Sequence, residues 1–506
     1  MEKMKDKRFF RAKLNVITSL FRQGVTLLCG IYIPKLLIST FGSEAYGATT
    51  SISQFLAYIT LLEGGIGGVA RAALYKPLAD NDHRTVSAIV YEIKRFFRIV
   101  GLIFLVYTVI LACGFQSLSH IQCFDWSTTF WLVIVISIST FAQYFIGISY
   151  AVLLQAGQLS YITDAINIIS TVLNTVLTVA LVYNHSSLIV IKLVSSCMFV
   201  LKPVFMWLFA QKRFHIQSVK KTQQVYLMQK WDGLAQHIAF FLHTNTDVAV
   251  LTIFSNLTVV AVYSVYNMIV SQIQNFSSSF ASGMEALFGD MLAKNEMQQL
   301  HDTFDYYETM ISFIATTIFS VTMVMIIPFV KIYTADVQDA NYIEPLFAVF
   351  LVLASVMTCL RAPYHNMTIA AGHFKQTQVA AYGEAAVNIT LSIVLVTKLG
   401  LIGVAIGTLA ATTFRMVYYA IYLTNHILNR PISKFLKREI LNFAVVAIIC
   451  LVGHVIKSIW TFNNYLSWVV CAALVSFIAV VVASIVNFIF YKGQFLETVR
   501  KMVPKH

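Results

Sequence analysis

A chain of 506 residues that is 58% hydrophobic and only 12% charged is not a water-soluble domain, in which about a quarter of the residues carry charge. Its net charge of +13 points either to nucleic acid or to a membrane surface, and the placement of the 36 Lys and Arg residues decides between them. Seven scattered cysteines form neither a metal-ligand spacing nor a disulfide framework.

A helix that crosses about 30 Å of hydrocarbon needs roughly 20 apolar residues. Fourteen such spans are predicted, at about 14–38, 46–70, 97–115, 130–153, 161–183, 187–210, 234–254, 258–284, 310–333, 345–370, 378–397, 401–424, 440–460 and 466–491. They are too long and too continuously apolar for the alternating strands of an outer-membrane barrel, so the fold class is all-α, polytopic. The basic N-terminus is not read as a signal peptide. The first span is long, contains Arg22 and lacks a small-residue cleavage site before the second.

In chain order, span 1 carries Arg22 on a polar stripe with Asn15, Thr18 or Ser19, and Thr26; that face is unsuited to lipid. A guanidinium at this depth either binds an anionic substrate group or snorkels to the headgroups. Span 2 holds Glu63 and the run Gly64-Gly65-Ile66-Gly67-Gly68 and closes on Arg71. Without a following Lys-Ser or Lys-Thr and a preceding strand, the run is a bend or a close helix contact rather than a phosphate loop. Arg71 reads as an interface marker; Lys192 and Lys202 either line the cavity or, as the preferred reading and like Lys35, reach the interface from near span ends.

Intramembrane acids follow at Asp164 in span 5, Asp247 in span 7 and Glu384 in span 11. With Glu63 they either take up a coupling proton or cation or balance the basic residues. Span 8 presents Asn267, Ser271, Gln274 and Ser278 at helical spacing, read as a cavity-lining stripe against the alternative of polar helix packing. Arg361 in span 10 and Arg415 in span 12 complete the set of candidate substrate-binding cations. No catalytic residue and no metal site is expected.

With fourteen spans and a cytoplasmic N-terminus, 27 of the 36 basic residues fall on the cytoplasmic side, whereas the opposite face holds only Lys331, Lys398 and Lys457. Such asymmetry places both termini in the cytoplasm. Because the basic residues sit in short loops against the membrane, nucleic acid is excluded as a partner.

Shifting the sequence by about 214 positions aligns Asn174–Val182 with Asn388–Val396, and Leu78-Ala79-Asp80-Asn81-Asp82 with Leu292-Ala293-Lys294-Asn295-Glu296, while Ala156-Gly157 aligns with Ala371-Gly372 at 215. The expected organisation is an N-terminal lobe over 1–211 (spans 1 to 6), a cytoplasmic linker over 212–231, a C-terminal lobe over 232–428 (spans 7 to 12), and appended spans 13 and 14 with a tail over 429–506. Two pseudo-symmetric six-helix lobes of this kind enclose a cavity and expose it alternately to either side.

The fourteen spans, the segment Phe41-Gly42-Ser43-Glu44-Ala45-Tyr46-Gly47 and the segment Glu63-Gly64-Gly65-Ile66-Gly67 followed by Arg71 together resemble the O-antigen and polysaccharide flippases of the multidrug/oligosaccharidyl-lipid/polysaccharide (MOP) exporter superfamily. The resemblance covers nearly the whole chain, mainly through topology. It implies a transporter of the bacterial cytoplasmic (inner) membrane that flips an undecaprenyl-pyrophosphate-linked oligosaccharide by alternating access for surface polysaccharide biosynthesis. A polysaccharide polymerase and glycosyltransferases are its implied partners, and no cofactor is implied beyond a proton or cation gradient. Arg22, Arg361 and Arg415 would meet the pyrophosphate, although Arg22 has Gln236 at the shifted position. A cation-coupled multidrug antiporter of the same superfamily is the main alternative. A membrane glycosyltransferase or polymerase is disfavoured by the short outer connections.

Overall fold

The computed structural model describes residues 2–63, 66–216, 234–280, 284–462 and 464–496. Among them the chain is helical, with no strand: α1 (Glu2–Phe41), α2 (Ser43–Ala57), a 3₁₀ segment (Tyr58–Glu63), α3 (Ile66–Ala79), α4 (His83–Ser119), α5 (Trp126–Ala142), a π-helical segment (Gln143–Gly147), α6 (Ile148–Ala156), α7 (Ser160–Tyr183), α8 (Leu188–Phe214), α9 (Leu234–Phe254), α10 (Leu257–Ser279), α11 (Met284–Ala293), α12 (Met297–Tyr333), α13 (Pro345–Leu360), α14 (Ala362–Ala370), α15 (Gln378–Leu399), α16 (Leu401–His426), α17 (Ser433–Ile459) and α18 (Tyr465–Phe490).

Twelve helical stretches among the described residues are long and apolar enough to cross a membrane, against fourteen expected. The second expected span is a helix pair bent by 50°, Ser43–Glu63 with Ile66–Ala79. The seventh coincides with α9, whose described apolar part is the short piece Asn245–Phe254. Helices also overrun the spans: α4 and α12 begin well before the expected starts at 97 and 310. The hydropathy boundary marks where lipid ends, whereas the backbone ladder continues through the polar stretch beyond it. The expected linker over 212–231 lies mostly outside the described residues, as do Gly64 and Gly65.

The chain divides into two compact units, one of Met1–Phe241 with Asn256–Ala261 and one of Leu242–Ser255 with Val262–His506. In unit 1, α4 is the organising helix: Phe97, Phe104 and Phe115 are buried on it and pack in one apolar cluster with Leu132, Tyr144 and Leu153. Gly47 on α2 lies so close to the Leu257 carbonyl that a Cβ there would sit 1.8 Å from the oxygen, a contact only glycine permits. In unit 2, α12 is the central helix and carries α13, α17 and α18 on its surface, so the two C-terminal helices pack directly on it.

The 214-residue offset is written into the backbone. α4 and α12 cover 83–119 and 297–333, and α6 and α14 cover 148–156 and 362–370. Three left-handed residues recur at the same offset: Asn81 and Asn295, Gln158 and Gly372, His215 and Asn429. At the first, Asp82 N bonds to Pro77 O at 2.9 Å and Glu296 N to Met291 O at 3.0 Å, the same turn made twice. The second pair corrects the 215 shift read from Ala156-Gly157 and Ala371-Gly372. The residue that must adopt positive φ is Gln158 in one copy and Gly372 in the other, so the glycines are not equivalent. After the first of these turns Asp82 caps α4, accepting from Thr85 Oγ1 at 2.5 Å and from the Thr85 and Arg84 amides at 3.0 and 3.1 Å. The Thr85 hydroxyl first, then the backbone amides, hold its carboxyl below the usual carboxylate range.

Candidate functional site

Unit 1 contains two adjoining cavities of about 480 and 300 Å3 that share Glu63, Gln143 and Ile148 as walls. Both walls are irregular helix. On one side α2 tightens into the 3₁₀ segment that ends at Glu63. On the other, α5 loosens into the π-helical segment from Gln143 to Gly147, a local irregularity often found at functional sites. The first is supported from α4, where the Tyr107 hydroxyl donates to the Phe55 carbonyl at 2.8 Å. The two segments meet where the Tyr144 hydroxyl donates to the Glu63 carboxylate.

The larger cavity also takes Ser53, Ser139, Thr140 and Lys202, and the smaller takes Arg71 and Gln155. Arg71 Nη1 donates to Gln155 Oε1 at 3.1 Å. The Lys202 ammonium lies 4.3 Å from the Phe199 ring centroid and close enough to Arg22 for their charges to interact. Arg22 itself pairs with Asp164, Nε to Oδ1 2.8 Å, a charge contact in which the N–H is not aimed at the carboxylate. Asn15 on the same stripe accepts from the Tyr161 amide at 2.8 Å. Asn15 and Arg22 of the polar face of α1 are therefore engaged by α7, whereas the Thr18 hydroxyl bonds its own helix. Glu63, between one cation in each cavity, leaves this region with an excess of positive charge.

Unit 2 uses its charges differently. Glu384, with no exposed surface, receives Arg361 Nη1 at 2.7 Å and is also contacted by Arg415 Nη1, forming a buried triad across α15, the α13–α14 junction and α16. Arg361 and Arg415 are 9% and 4% exposed. Their charge is committed to the acid rather than presented on an open surface. At the 214-residue offset, Arg361 corresponds to Gly147 of the π-helical segment, so both copies break the helix at one place and only one fills the break with charge.

A second buried acid, Asp247 on α9, accepts from Tyr263 OH at 3.0 Å and from Thr408 Oγ1 at 2.9 and 3.1 Å. Thr408 Oγ1 also lies 3.4 Å from Asn388 Oδ1 and 3.1 Å from the Val404 carbonyl, which compete with Asp247 for its single proton, and Ser392 Oγ donates to Asn388 Oδ1 at 3.0 Å. No Lys, Arg or His is among these partners. A carboxylate in dry surroundings with oxygen neighbours and no counter-charge favours a proton or a hard cation, and these residues fit a monovalent ion. The helices are close here: at Gly407 a Cβ would lie 2.4 Å from Ser392 Oγ, and at Gly403 2.5 Å from the Leu395 carbonyl. Among the described residues no group of three or more His, Cys, Asp or Glu that could hold a metal occurs.

Of the span 8 stripe, Ser271 turns onto its own helix, Oγ to Met268 O 3.2 Å. Asn267, Gln274 and Ser278 lie along α10 without a side-chain bond to another described residue. The structure thus gathers Glu63 into the unit 1 cavity, Arg22 with Asp164, Arg361 and Arg415 with Glu384, and Asp247 with Thr408. The sequence reading sets Arg71 and Lys202 at the interface, with the cavity as the lesser alternative for Lys202, and passes over Gln143 and Gln155. It also passed over Arg430 and Arg438, which contact the buried Glu308 at 2.7 and 3.5 Å. One available signal was the Gly403-Val404-Ala405-Ile406-Gly407 spacing, the small-residue pattern of tightly packed membrane helices.

No family model and no curated protein matches the sequence. Among solved structures, a lipid II flippase MurJ in an inward closed conformation superposes with a TM-score of 0.69 at 14% identity, covering 95% of this chain and 99% of its own. An inward-facing MATE-family multidrug resistance transporter of the MOP superfamily gives 0.59 at 16%, covering 79% and 95%. A Vibrio cholerae MATE transporter gives 0.52 at 13%, covering 83% and 99%. Identity this low speaks for backbone architecture. The chain is a multi-pass membrane protein whose fold is shared with a lipid II flippase and with multidrug transporters.

Proposed function

We propose that this protein is a flippase of the bacterial cytoplasmic membrane that carries the head group of a diphosphate-linked oligosaccharide lipid across by alternating access, with both termini cytoplasmic. The observation that carries the reading is the unit 1 cavity, an open cleft between membrane helices with Arg71, Lys202, Glu63 and Gln143 on its walls. A sugar-diphosphate head group loses its water on crossing about 30 Å of hydrocarbon and needs hydrogen bonds and positive charge in return. The fold shared with a lipid II flippase over nearly the whole chain supports the same reading. The Asp247 cluster is the proposed coupling site for a monovalent cation or proton.

The multidrug antiporters with the same fold support a second reading. It demands a cavity that attracts cationic drugs, and Arg71 and Lys202 oppose that. Proteoliposomes separate the two. The flippase reading expects a short-chain prenyl-diphospho-oligosaccharide supplied on one face to become accessible to lectin on the other, and ethidium to stay put. Ethidium transport without lipid translocation would establish the antiporter.

A further inference from the structure

Resting on the flippase reading, we infer that α10 of unit 2 is a second head-group wall, on which the amides of Asn267 and Gln274 bind the uncharged sugars of the translocated lipid. One side of α10 is fixed to its own unit. Tyr266 and Val270 are buried there, and the Tyr266 hydroxyl donates to the Tyr342 carbonyl at 2.7 Å and accepts from the Glu344 amide at 3.1 Å. Asn267, Ser271 and Gln274 are half-buried and Ser278 is exposed, and their spacing sets all four on one stripe of the helix. The exposed Phe276 stands nine residues from Asn267, about two and a half turns, and therefore on the opposite face. Acyl chains suit the phenyl ring and not the amides. The stripe thus faces away from the apolar side of α10 and keeps some open surface, a position for water or a polar ligand. Among the described residues no other side chain bonds to Asn267, Gln274 or Ser278.

The internal repeat supplies the second observation. At the 214-residue offset Asn267, Ser271 and Gln274 correspond to Ser53, Ala57 and Thr60, all of which line the 480 Å3 cavity of unit 1. Unit 2 carries longer, more polar side chains at these positions, while the charged Glu63 and Lys202 correspond to Ser277 and Met416, and Arg71 to Glu285. An amide offers donors and acceptors together, the combination that sugar hydroxyls need. Without a cation it gives a diphosphate only neutral hydrogen bonds, about half as strong as charge-assisted ones. From Asn267 to Ser278 the stripe rises about 16 Å, roughly half of the 30 Å hydrocarbon layer. A sugar chain can exchange hydrogen-bond partners along it while it crosses.

The test uses the full chain in lipid nanodiscs with farnesyl diphosphate and a panel of farnesyl-diphospho-oligosaccharides, and reads dissociation constants and the thermal unfolding midpoint. At least one glycosylated probe is expected to bind about tenfold tighter than farnesyl diphosphate, the effect of one or two net hydrogen bonds. Asn267→Ala combined with Gln274→Ala should remove that advantage and leave both the affinity for farnesyl diphosphate and the midpoint unchanged. A full sugar advantage in the double variant overturns the wall. So does a lowered midpoint with both classes of probe weakened alike, which would make the stripe a helix-packing surface. No sugar advantage in the wild type also overturns it while leaving the flippase reading intact, and failure of every probe to bind removes both.

Discussion

Glu384 shows how one residue changes the meaning of two others. Arg361 and Arg415 are conspicuous in sequence because intramembrane arginines are costly, and a substrate contact is the natural reading of each alone. Their common partner lies on a different helix, and no spacing in the sequence announces that α13, α15 and α16 meet at one carboxylate. Replacing Glu384 with Gln would leave two guanidiniums buried against each other. The expected cost is about 3–5 kcal/mol, seen as a fall of the thermal unfolding midpoint in nanodiscs. Arg22→Gln, at a pair whose arginine is 37% exposed, should cost about 1 kcal/mol or less. Equal midpoints for E384Q and wild type would contradict the triad. Asp247 makes the complementary case, an acid with oxygen neighbours and no base. Raising Na+ or Li+ should raise the unfolding midpoint of the wild type through preferential binding to the folded state. Asp247→Asn should abolish that response, and an unchanged cation dependence would exclude this site.

The existence of most helices was legible because about twenty apolar residues in a row leave no other economical backbone arrangement in lipid. Their interruptions were less so. A glycine run marked the bend in span 2, but the π-helical segment at Gln143–Gly147 and the break at Arg361 are set by packing. The Gly147 face, for example, lies against Pro203, 3.0 Å from where a Cβ would be. The α15–α16 contact gives a direct test at this scale. Gly407→Ala would drive a methyl into Ser392, whose hydroxyl belongs to the Asp247 cluster. The expected result is a loss of about 1–3 kcal/mol of stability together with a weakened Na+ or Li+ response. Normal stability and a normal cation response in Gly407→Ala would contradict the described packing.

For the whole molecule, the 214-residue repeat carried the architecture further than any single motif. The repeat was detectable because turn residues recur, as Asn81 and Asn295 do at φ of 55° and 56°. Function was less legible because the two copies have diverged in charge: Glu63 and Arg71 of unit 1 face Ser277 and Glu285 at the shifted positions, and Arg361 of unit 2 faces Gly147. The proposed orientation is testable in a cysteine-free background. A membrane-impermeant maleimide should label Tyr183→Cys in intact cells and Asp80→Cys only after permeabilisation; the reverse pattern would invert the topology.

The most direct test of the central claim, that a polar head group passes through the unit 1 cavity, is substrate protection. Ser139→Cys places a thiol on the cavity wall, and Val176→Cys places one on an exposed apolar position of α7. In nanodiscs, a prenyl-diphospho-oligosaccharide is expected to slow methanethiosulfonate modification of Ser139→Cys and leave Val176→Cys unaffected. Equal modification rates at Ser139→Cys with and without saturating lipid-linked oligosaccharide would show that the head group does not enter this chamber.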